Sequence, residues 1–148
     1  MTKHFVIMTK HFVIFEKELL MKKNTRRPTD AELTILQVLW DRGPSTVREV
    51  YKILAGDKSI GYTTVLKLMQ IMTDKGLVER DENCRPQLYQ PCLPREQTER
   101  QLIKDLADRA FGGSAKRLVL QALQAKKASP NELAKIEKLL NKLERGEK

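Results

Sequence analysis

Four polar residues stand close together near the middle of the chain: Tyr62, Thr63, Thr64 and Lys67. Their side chains suit hydrogen bonding to duplex DNA. A threonine hydroxyl can donate or accept a hydrogen bond, and its methyl group can contact the methyl group of thymine. A lysine one helical turn later can reach a phosphate or the edge of a guanine. These side chains can act together only if one element presents them on one surface.

A helix from about Gly61 to Lys75 is the predicted element. Its apolar residues recur at helical spacing, so one side is expected to be buried and the four polar residues, with Gln70, to lie on or beside the opposite side. Gly76 is expected to end the helix in the left-handed conformation that glycine adopts easily. The apolar residues of the predicted buried side are Val65, Leu68, Met69 and Met72.

Two more helical patterns precede this one. The first is expected to begin with Thr29 or Asp30 as its cap and to end at Gly43-Pro44. The second is expected to follow Ser45 as its N-cap and to end at a turn over residues 56–58. The apolar stripes are Leu33, Leu36, Val38, Leu39 and Trp40 in the first, and Val47, Val50, Tyr51, Ile53 and Leu54 in the second.

After Gly76 the apolar period changes from helical to two, which predicts a β-hairpin with strands over 77–80 and 87–91. Three helices and a hairpin predict a mainly α fold, a winged helix-turn-helix, whose third helix enters the major groove. The turn over 81–86 would then be the wing, with Asp81 and Glu82 pointing away from phosphate. The predicted DNA-binding residues are Tyr62, Thr63, Thr64, Lys67, Arg85, Ser45 and Thr46.

From Pro94 onward the pattern is helical again, in three segments. The second is expected to start at Ser114, after Gly112-Gly113, and the third to be capped by Ser129, with Pro130 at its first helical position. These helices are short and apolar on one side only, so they are not expected to be stable alone. A second copy of the chain is the expected cover, which makes the protein a homodimer. The predicted dimerisation residues are Leu102, Leu106, Leu118, Leu120, Leu133, Ile136 and Leu140.

The predicted organisation is an N-terminal extension over 1–27, a winged-helix domain over 28–93 and a helical dimerisation domain over 94–148. The extension opens with a direct repeat, MTKHFVI at 1–7 and again at 8–14. Two copies of seven residues are too short for a repeat fold, so a duplicated start or a tag-like segment is the interpretation.

The net charge is +9, and a basic chain favours polyanionic partners. The charge is uneven, however, because residues 29–93 carry eight basic and nine acidic residues. If this segment binds DNA, it must do so through a few well-placed groups. Two cysteines are too few for a disulfide framework, and no apolar run approaches the length of a membrane span. The protein is therefore expected to be cytoplasmic, with no membrane insertion.

At this point the sequence resembles a known family. The segments PTDAELTILQVLWDRGPSTVREVYKIL, GYTTVLKLMQIMTDKGLVER and YQP are similar to those of the penicillinase repressor family, the BlaI, MecI and CopY group of bacterial repressors. The resemblance covers about residues 28–145. It implies a homodimer held by C-terminal helices, with two winged helices on a palindromic operator in double-stranded DNA.

The resemblance also implies modes of induction. Penicillinase-type members are inactivated by proteolysis in the dimerisation region, which makes a membrane-bound sensor protease an implied partner. The matching bond here is Gln121–Ala122, but better-known members have an Asn-Phe pair there, which puts that cleavage in doubt. Copper-responsive members carry paired Cys-x-Cys motifs near the C-terminus, and this chain has no cysteine after Cys92.

Two other functions compete with that of a DNA-binding repressor. A winged helix can serve as a protein-interaction module without DNA, and the near-neutral middle segment favours that function slightly. An enzyme is disfavoured because the sequence holds no nucleophile–base set and no phosphate-binding glycine loop. No cofactor and no metal are expected, since Cys84 and Cys92 without a clustered histidine make a weak metal site.

Overall fold

The computed structural model describes residues 27–57 and 59–146. The predicted N-terminal extension, apart from Arg27, lies outside this range, and so does the direct repeat. The described residues form helices separated by one two-stranded antiparallel sheet. In chain order the elements are α1 (Asp30–Arg42), α2 (Val47–Asp57), α3 (Tyr62–Lys75), β1 (Val78–Asp81), β2 (Leu88–Pro91), α4 (Arg95–Ala110), α5 (Ala115–Ala125) and α6 (Pro130–Glu144).

Helices α1 and α2 both begin with a threonine capping box. In α1 the Thr29 hydroxyl accepts from the Glu32 backbone N–H, and the Glu32 carboxylate accepts from the Thr29 N–H. In α2 the same reciprocal pair joins Thr46 and Glu49. Each box satisfies two backbone donors that a helix start otherwise leaves open. Helix α2 also continues through Asp57, where the sequence predicted a turn.

The prediction of Ser45 as the N-cap of α2 is wrong. Its backbone forms a β-bridge with Tyr89, with N–O distances of 3.0 Å and 2.8 Å in the two directions. The chain is therefore extended at Ser45, and the helix can begin only after the next residue. The Ser45 hydroxyl donates to the carbonyl of Gly43 at 2.8 Å, and the residue is completely buried.

The first three helices and the hairpin share one apolar core. It takes residues from α1, α2, α3 and both strands, so each element loses its buried face if another is displaced. Such a core holds the elements in fixed relative positions because buried side chains interdigitate at close to crystalline density. The buried apolar residues are Ile35, Leu36, Leu39, Val47, Val50, Leu54, Val65, Met69, Met72, Val78 and Tyr89.

Only Gly76 and Leu77 separate the hairpin from α3. Gly76 takes the left-handed conformation at φ 79° and ends the helix, as predicted, and Leu77 then donates to the Met72 carbonyl. Strands β1 and β2 pair in the register Val78↔Pro91 to Asp81↔Leu88. The bridge at Tyr89 adds a one-residue third strand. This pairing ties the wing to the segment between α1 and α2.

A charged contact inside this unit joins the start of α1 to the end of α3. The Lys75 ammonium lies 2.9 Å from the Glu32 carboxylate, which is almost completely buried. The same carboxylate oxygen accepts the Thr29 backbone N–H at 2.8 Å. A buried carboxylate needs such partners, because an unpaired charge in the interior is very costly.

The first residues of α4 are fastened to α1. The Trp40 indole N–H donates to the carbonyl of Leu93 at 3.1 Å. The Arg95 guanidinium lies 5.7 Å from the centre of the Trp40 ring and forms an ion pair with Asp41. The first compact unit includes these contacts and the start of α4 as far as Arg100.

The second compact unit begins at Gln101 and is different in character. Helices α5 and α6 begin at the predicted caps, Ser114 and Ser129, and Pro130 is the first residue of α6. Neither helix has a single buried residue. Across the described ranges, no helix is long and apolar enough to cross a membrane.

Replacing Lys75 with methionine should leave the Glu32 carboxylate buried without its cation. We expect the free energy of unfolding to fall by about 2–4 kcal/mol. The loss should be smaller than for a completely unpaired buried charge, because the Thr29 N–H still donates to the carboxylate. Urea unfolding measures this. Lys67→Met is the matched control, since Lys67 is exposed on the same helix and its replacement should change stability by less than about 0.5 kcal/mol. Equal effects of the two substitutions would contradict this role of Lys75.

The capping box of α2 makes a pH-dependent contribution. Hydrogen bonds from the Thr46 backbone N–H and from Arg42 lower the pKa of Glu49 below its ordinary value. Its stabilisation is therefore present above about pH 4.5 and is lost as the pH falls through the lowered pKa. Glu49 is half-exposed, so we expect Glu49→Gln to cost at most about 1 kcal/mol at pH 7. Thermal unfolding of the two proteins should converge towards pH 3, and a constant difference would contradict this assignment.

Candidate nucleic-acid interface

Helix α3 has the two unlike sides that the sequence predicts. Its buried side is formed by Val65, Met69 and Met72, which lie in the core. Three exposed polar residues lie away from this side near the start of the helix, and Tyr62, three residues before Val65, lies beside the buried side and is also exposed. We call these the recognition face: Tyr62, Thr63, Thr64 and Lys67.

The start of α3 also carries an aromatic cluster. The ring of Tyr51, from α2, meets the ring of Tyr62 edge to face, with 5.6 Å between centroids and 76° between planes. The guanidinium carbon of Arg48 lies 5.4 Å from the centre of the Tyr62 ring. Both contacts favour this arrangement, because the face of an aromatic ring is negative and its edge positive. Tyr62 is still 37% exposed, so part of its surface remains available.

Of the two DNA-binding residues predicted before α2, Ser45 is unavailable to DNA and Thr46 remains available. Ser45 is removed from the predicted interface, because a completely buried side chain that is committed to Gly43 cannot reach DNA. Thr46 is half-buried, and its hydroxyl accepts the Glu49 N–H at 3.1 Å. The Thr46 hydroxyl retains a hydrogen that it can donate, so Thr46 stays a predicted contact.

The acidic residues of the wing are engaged within the wing itself. Asp81 is completely buried, and its carboxylate accepts the Asn83 backbone N–H at 3.0 Å and the Cys84 thiol at 3.5 Å. The Glu82 carboxylate lies 3.0 Å from the Arg80 guanidinium. Arg85 is exposed, and within residues 27–57 and 59–146 no acidic side chain pairs with it. The wing therefore offers a cation at its surface although its composition is acidic.

Acidic side chains are paired locally in the rest of residues 29–93 as well. Several carboxylates of this segment have a local partner: Glu32 with Lys75, Glu49 with Arg42, and Asp41 with Arg95. In the part of the chain that the structure describes, the cations of the recognition face and its surroundings have no such partner. They are Arg48, Lys67 and Arg85. A net charge near zero thus conceals a surface on which positive charge is left uncompensated, which is what attracts phosphate.

The residues predicted for dimerisation and cleavage lie in α4, α5 and α6. None of the seven dimerisation residues is buried: Leu106, Leu120, Leu133 and Leu140 are exposed, and Leu102, Leu118 and Ile136 are half-buried. Gln121 and Ala122 are both exposed, in the second half of α5. Their peptide bond is helical, and the Ala122 carbonyl accepts the N–H of Lys126 at 3.0 Å.

Arg48 is the residue that the sequence reasoning missed. It belongs to α2, and its contact with Tyr62 joins two helices. Residue spacing within a single helix cannot predict such a contact. Its one local signal is its place at an exposed position beside Val47 and Glu49, where a charged side chain is unremarkable.

The sequence model of the penicillinase repressor family matches residues 28–142, most of the chain. Proteins named transcriptional regulator BlaI, from two strains of Mycobacterium tuberculosis, are each 29% identical over 92 residues. The alignment covers 62% of this chain and 67% of theirs.

Among solved structures, a MarR family protein from Bacillus stearothermophilus is similar with a TM-score of 0.44 and 20% sequence identity. The match covers 98% of this chain and 94% of that one, and so distant a likeness adds nothing to the assignment. The family match spans both the winged helix and the C-terminal helices. The chain belongs to the penicillinase repressor family.

Proposed function

We propose that the protein is a repressor that binds a pseudo-palindromic operator as a homodimer, through the recognition face of each copy. The observation that carries the proposal is the polar, exposed start of α3 opposite a completely buried side. A helix so held can enter a major groove only with this face forward. The wing follows immediately and offers Arg85 to the sugar-phosphate backbone. This activity belongs in the cytoplasm, where bacterial DNA lies.

The case for a dimer rests on the second unit. Its helices expose a row of leucines on α6: Leu133, Leu139, Leu140 and Leu143. A row of exposed leucines on one helix is typical of a surface that another protein covers. A two-fold dimer covers it with the same surface of a second copy, and its symmetry then matches that of a palindromic site.

Dimerisation also gives a lightly charged module enough affinity. One winged helix with a few uncompensated cations binds few phosphates, so it should bind DNA weakly. Two modules linked in one dimer bind two half-sites, and the second binding event becomes intramolecular. Cleavage at Gln121–Ala122 by a sensor protease would cut α5, separate α6 from the DNA-binding unit and end repression.

Replacing Thr63 with alanine and Lys67 with glutamine together should remove a hydrogen bond to a base and a cation. We expect operator affinity to fall about 10- to 100-fold and the base preference to relax, since a good bond to a base edge is worth roughly 1–3 kcal/mol. The salt dependence should weaken by about 0.9 for each phosphate that is no longer neutralised. The probe is a duplex selected by the full chain from a random-sequence library, in gel-shift titrations at several salt concentrations.

Lys138→Gln is the control for charge alone, because Lys138 is exposed on α6, outside the recognition face. It should leave the affinity within about twofold of the wild type, because Lys138 is not among the proposed DNA contacts. Unchanged affinity and base preference in the Thr63–Lys67 double variant would contradict the groove assignment. If the chain selects no duplex at all, a protein-interaction role of the winged helix takes its place.

Leu140→Glu tests the dimer. Leu140 is 52% exposed in a single chain, and burying a leucine is worth roughly 1.5–3 kcal/mol. A symmetric dimer buries this leucine twice, so its Kd should rise roughly 100-fold or more in sedimentation equilibrium. The matched control is Asn141→Glu, which places the same carboxylate one residue further along α6. Equal effects of both substitutions, or a full chain that is monomeric at micromolar concentration, would contradict dimerisation through α6.

A further inference from the structure

Helix α2 brings Arg48 to the start of the recognition helix. Its guanidinium lies over the ring of Tyr62, the first residue of α3, and the ring of Tyr51 supports Tyr62 from another side. All three residues belong to the first compact unit, whose elements share one core. Arg48 is exposed, so its side chain is accessible to a ligand while it contacts the ring.

Within the described ranges, no ion pair neutralises the charge of Arg48. The nearest acidic residue in sequence is Glu49, but the carboxylate of Glu49 already binds the Arg42 guanidinium and the Thr46 backbone N–H. Among the described residues no carboxylate pairs with Arg48. An arginine can stack on an aromatic ring and still direct several N–H donors elsewhere, because its donors lie at the edge of a planar group.

The position of this arginine indicates its ligand. If the start of α3 enters a major groove, Tyr62 enters with it, and the groove is about 12 Å wide with phosphates along both edges. A guanidinium 5.4 Å from the Tyr62 ring, on the side of α2, then stands at an edge of the groove, not at its floor. Planar, bidentate binding of phosphate is the chemistry that arginine performs best.

We propose that Arg48 is a DNA-binding residue that contacts a backbone phosphate of the operator, and that the Tyr62 ring positions it for that contact. This inference rests on the proposed function and adds a second role to Tyr62. The tyrosine is a platform for Arg48 as well as a member of the recognition face. Tyr51 holds the platform in place, so α2 and α3 fix the register on DNA together.

The test compares Arg48→Gln with Lys52→Gln in the full chain, on the same selected duplex. Lys52 is an exposed cation one turn further along α2, with no aromatic contact among the described residues. We expect Arg48→Gln to lower affinity about tenfold and to reduce the salt slope by about 0.9 for each protomer, with base preference unchanged. Arg48→Lys should recover part of the affinity, because it restores the charge but not the planar group. Circular dichroism and urea unfolding confirm that each variant is folded.

The platform role of Tyr62 is tested by a double-mutant cycle. If the ring positions Arg48, then Arg48→Gln should reduce affinity by a factor at least about threefold smaller in a Tyr62→Leu background than in the wild type, because the arginine is already misplaced there. Tyr62→Phe keeps the ring, so Arg48→Gln should retain its full effect in that background. Additive effects in the leucine background would overturn the platform role.

The outcomes also separate this inference from the proposed function. If Arg48→Gln binds like the wild type while the Thr63–Lys67 double variant does not, the protein reads DNA without Arg48 and the inference is wrong. If Lys52→Gln weakens binding as much as Arg48→Gln, the effect is one of general charge, which also overturns it. If no duplex is bound in any background, the proposed function itself fails.

Discussion

The whole arrangement depends on the anchoring of α3 along its buried side. Val65, Met69 and Met72 fix its rotation in the core, and Lys75 fixes its far end by reaching back to a buried carboxylate at the start of α1. A helix held at three core positions and at its last residue cannot turn about its axis. The side chains at its beginning therefore keep fixed directions, and the four residues of the recognition face form one surface.

The wing inherits its position from the same helix. Gly76 turns the chain directly from α3 into β1, and the bridge between Ser45 and Tyr89 fastens the returning strand to the segment before α2. Local charge pairing then determines what this frame presents. Carboxylates that would repel phosphate are buried or matched, as Asp81 and Glu82 are in the wing, while cations near α3 are left uncompensated. The first compact unit therefore fixes the position of the wing and also leaves positive charge exposed near α3.

Local signals predicted much of this fold, and long-range contacts account for the errors. The bounds of α3 follow from its apolar stripe and the glycine at its end, and the caps at Thr29, Ser114 and Ser129 follow from residue type alone. The prediction for Ser45 is wrong because its partner, Tyr89, lies far along the chain, in the second strand of the hairpin. The preference of serine for helix N-caps is a local property and cannot show that Ser45 pairs with Tyr89.

In the candidate site, too, features within one helix could be predicted and contacts between helices could not. The recognition face was predictable because all four residues share one helix. Arg48 was not, since its contact with Tyr62 depends on how two helices pack. The exposed leucines of α6 were predictable as a stripe, but a sequence cannot show that no other segment of the same chain buries them. Within the described ranges these side chains remain uncovered in a single chain.

Because that stripe is uncovered, the stability of α5 and α6 depends on the concentration of the molecule that covers them. Helices of this length that bury no side chain of their own gain their order from whatever covers them, and that gain grows with the concentration of the covering molecule. If the cover is a second copy, the fraction of ordered helices rises with the chain concentration, and the dimer concentration that sets operator occupancy rises with the square of the free-monomer concentration. A small change in the rate of synthesis or degradation would then produce a disproportionate change in occupancy, before any inducer acts.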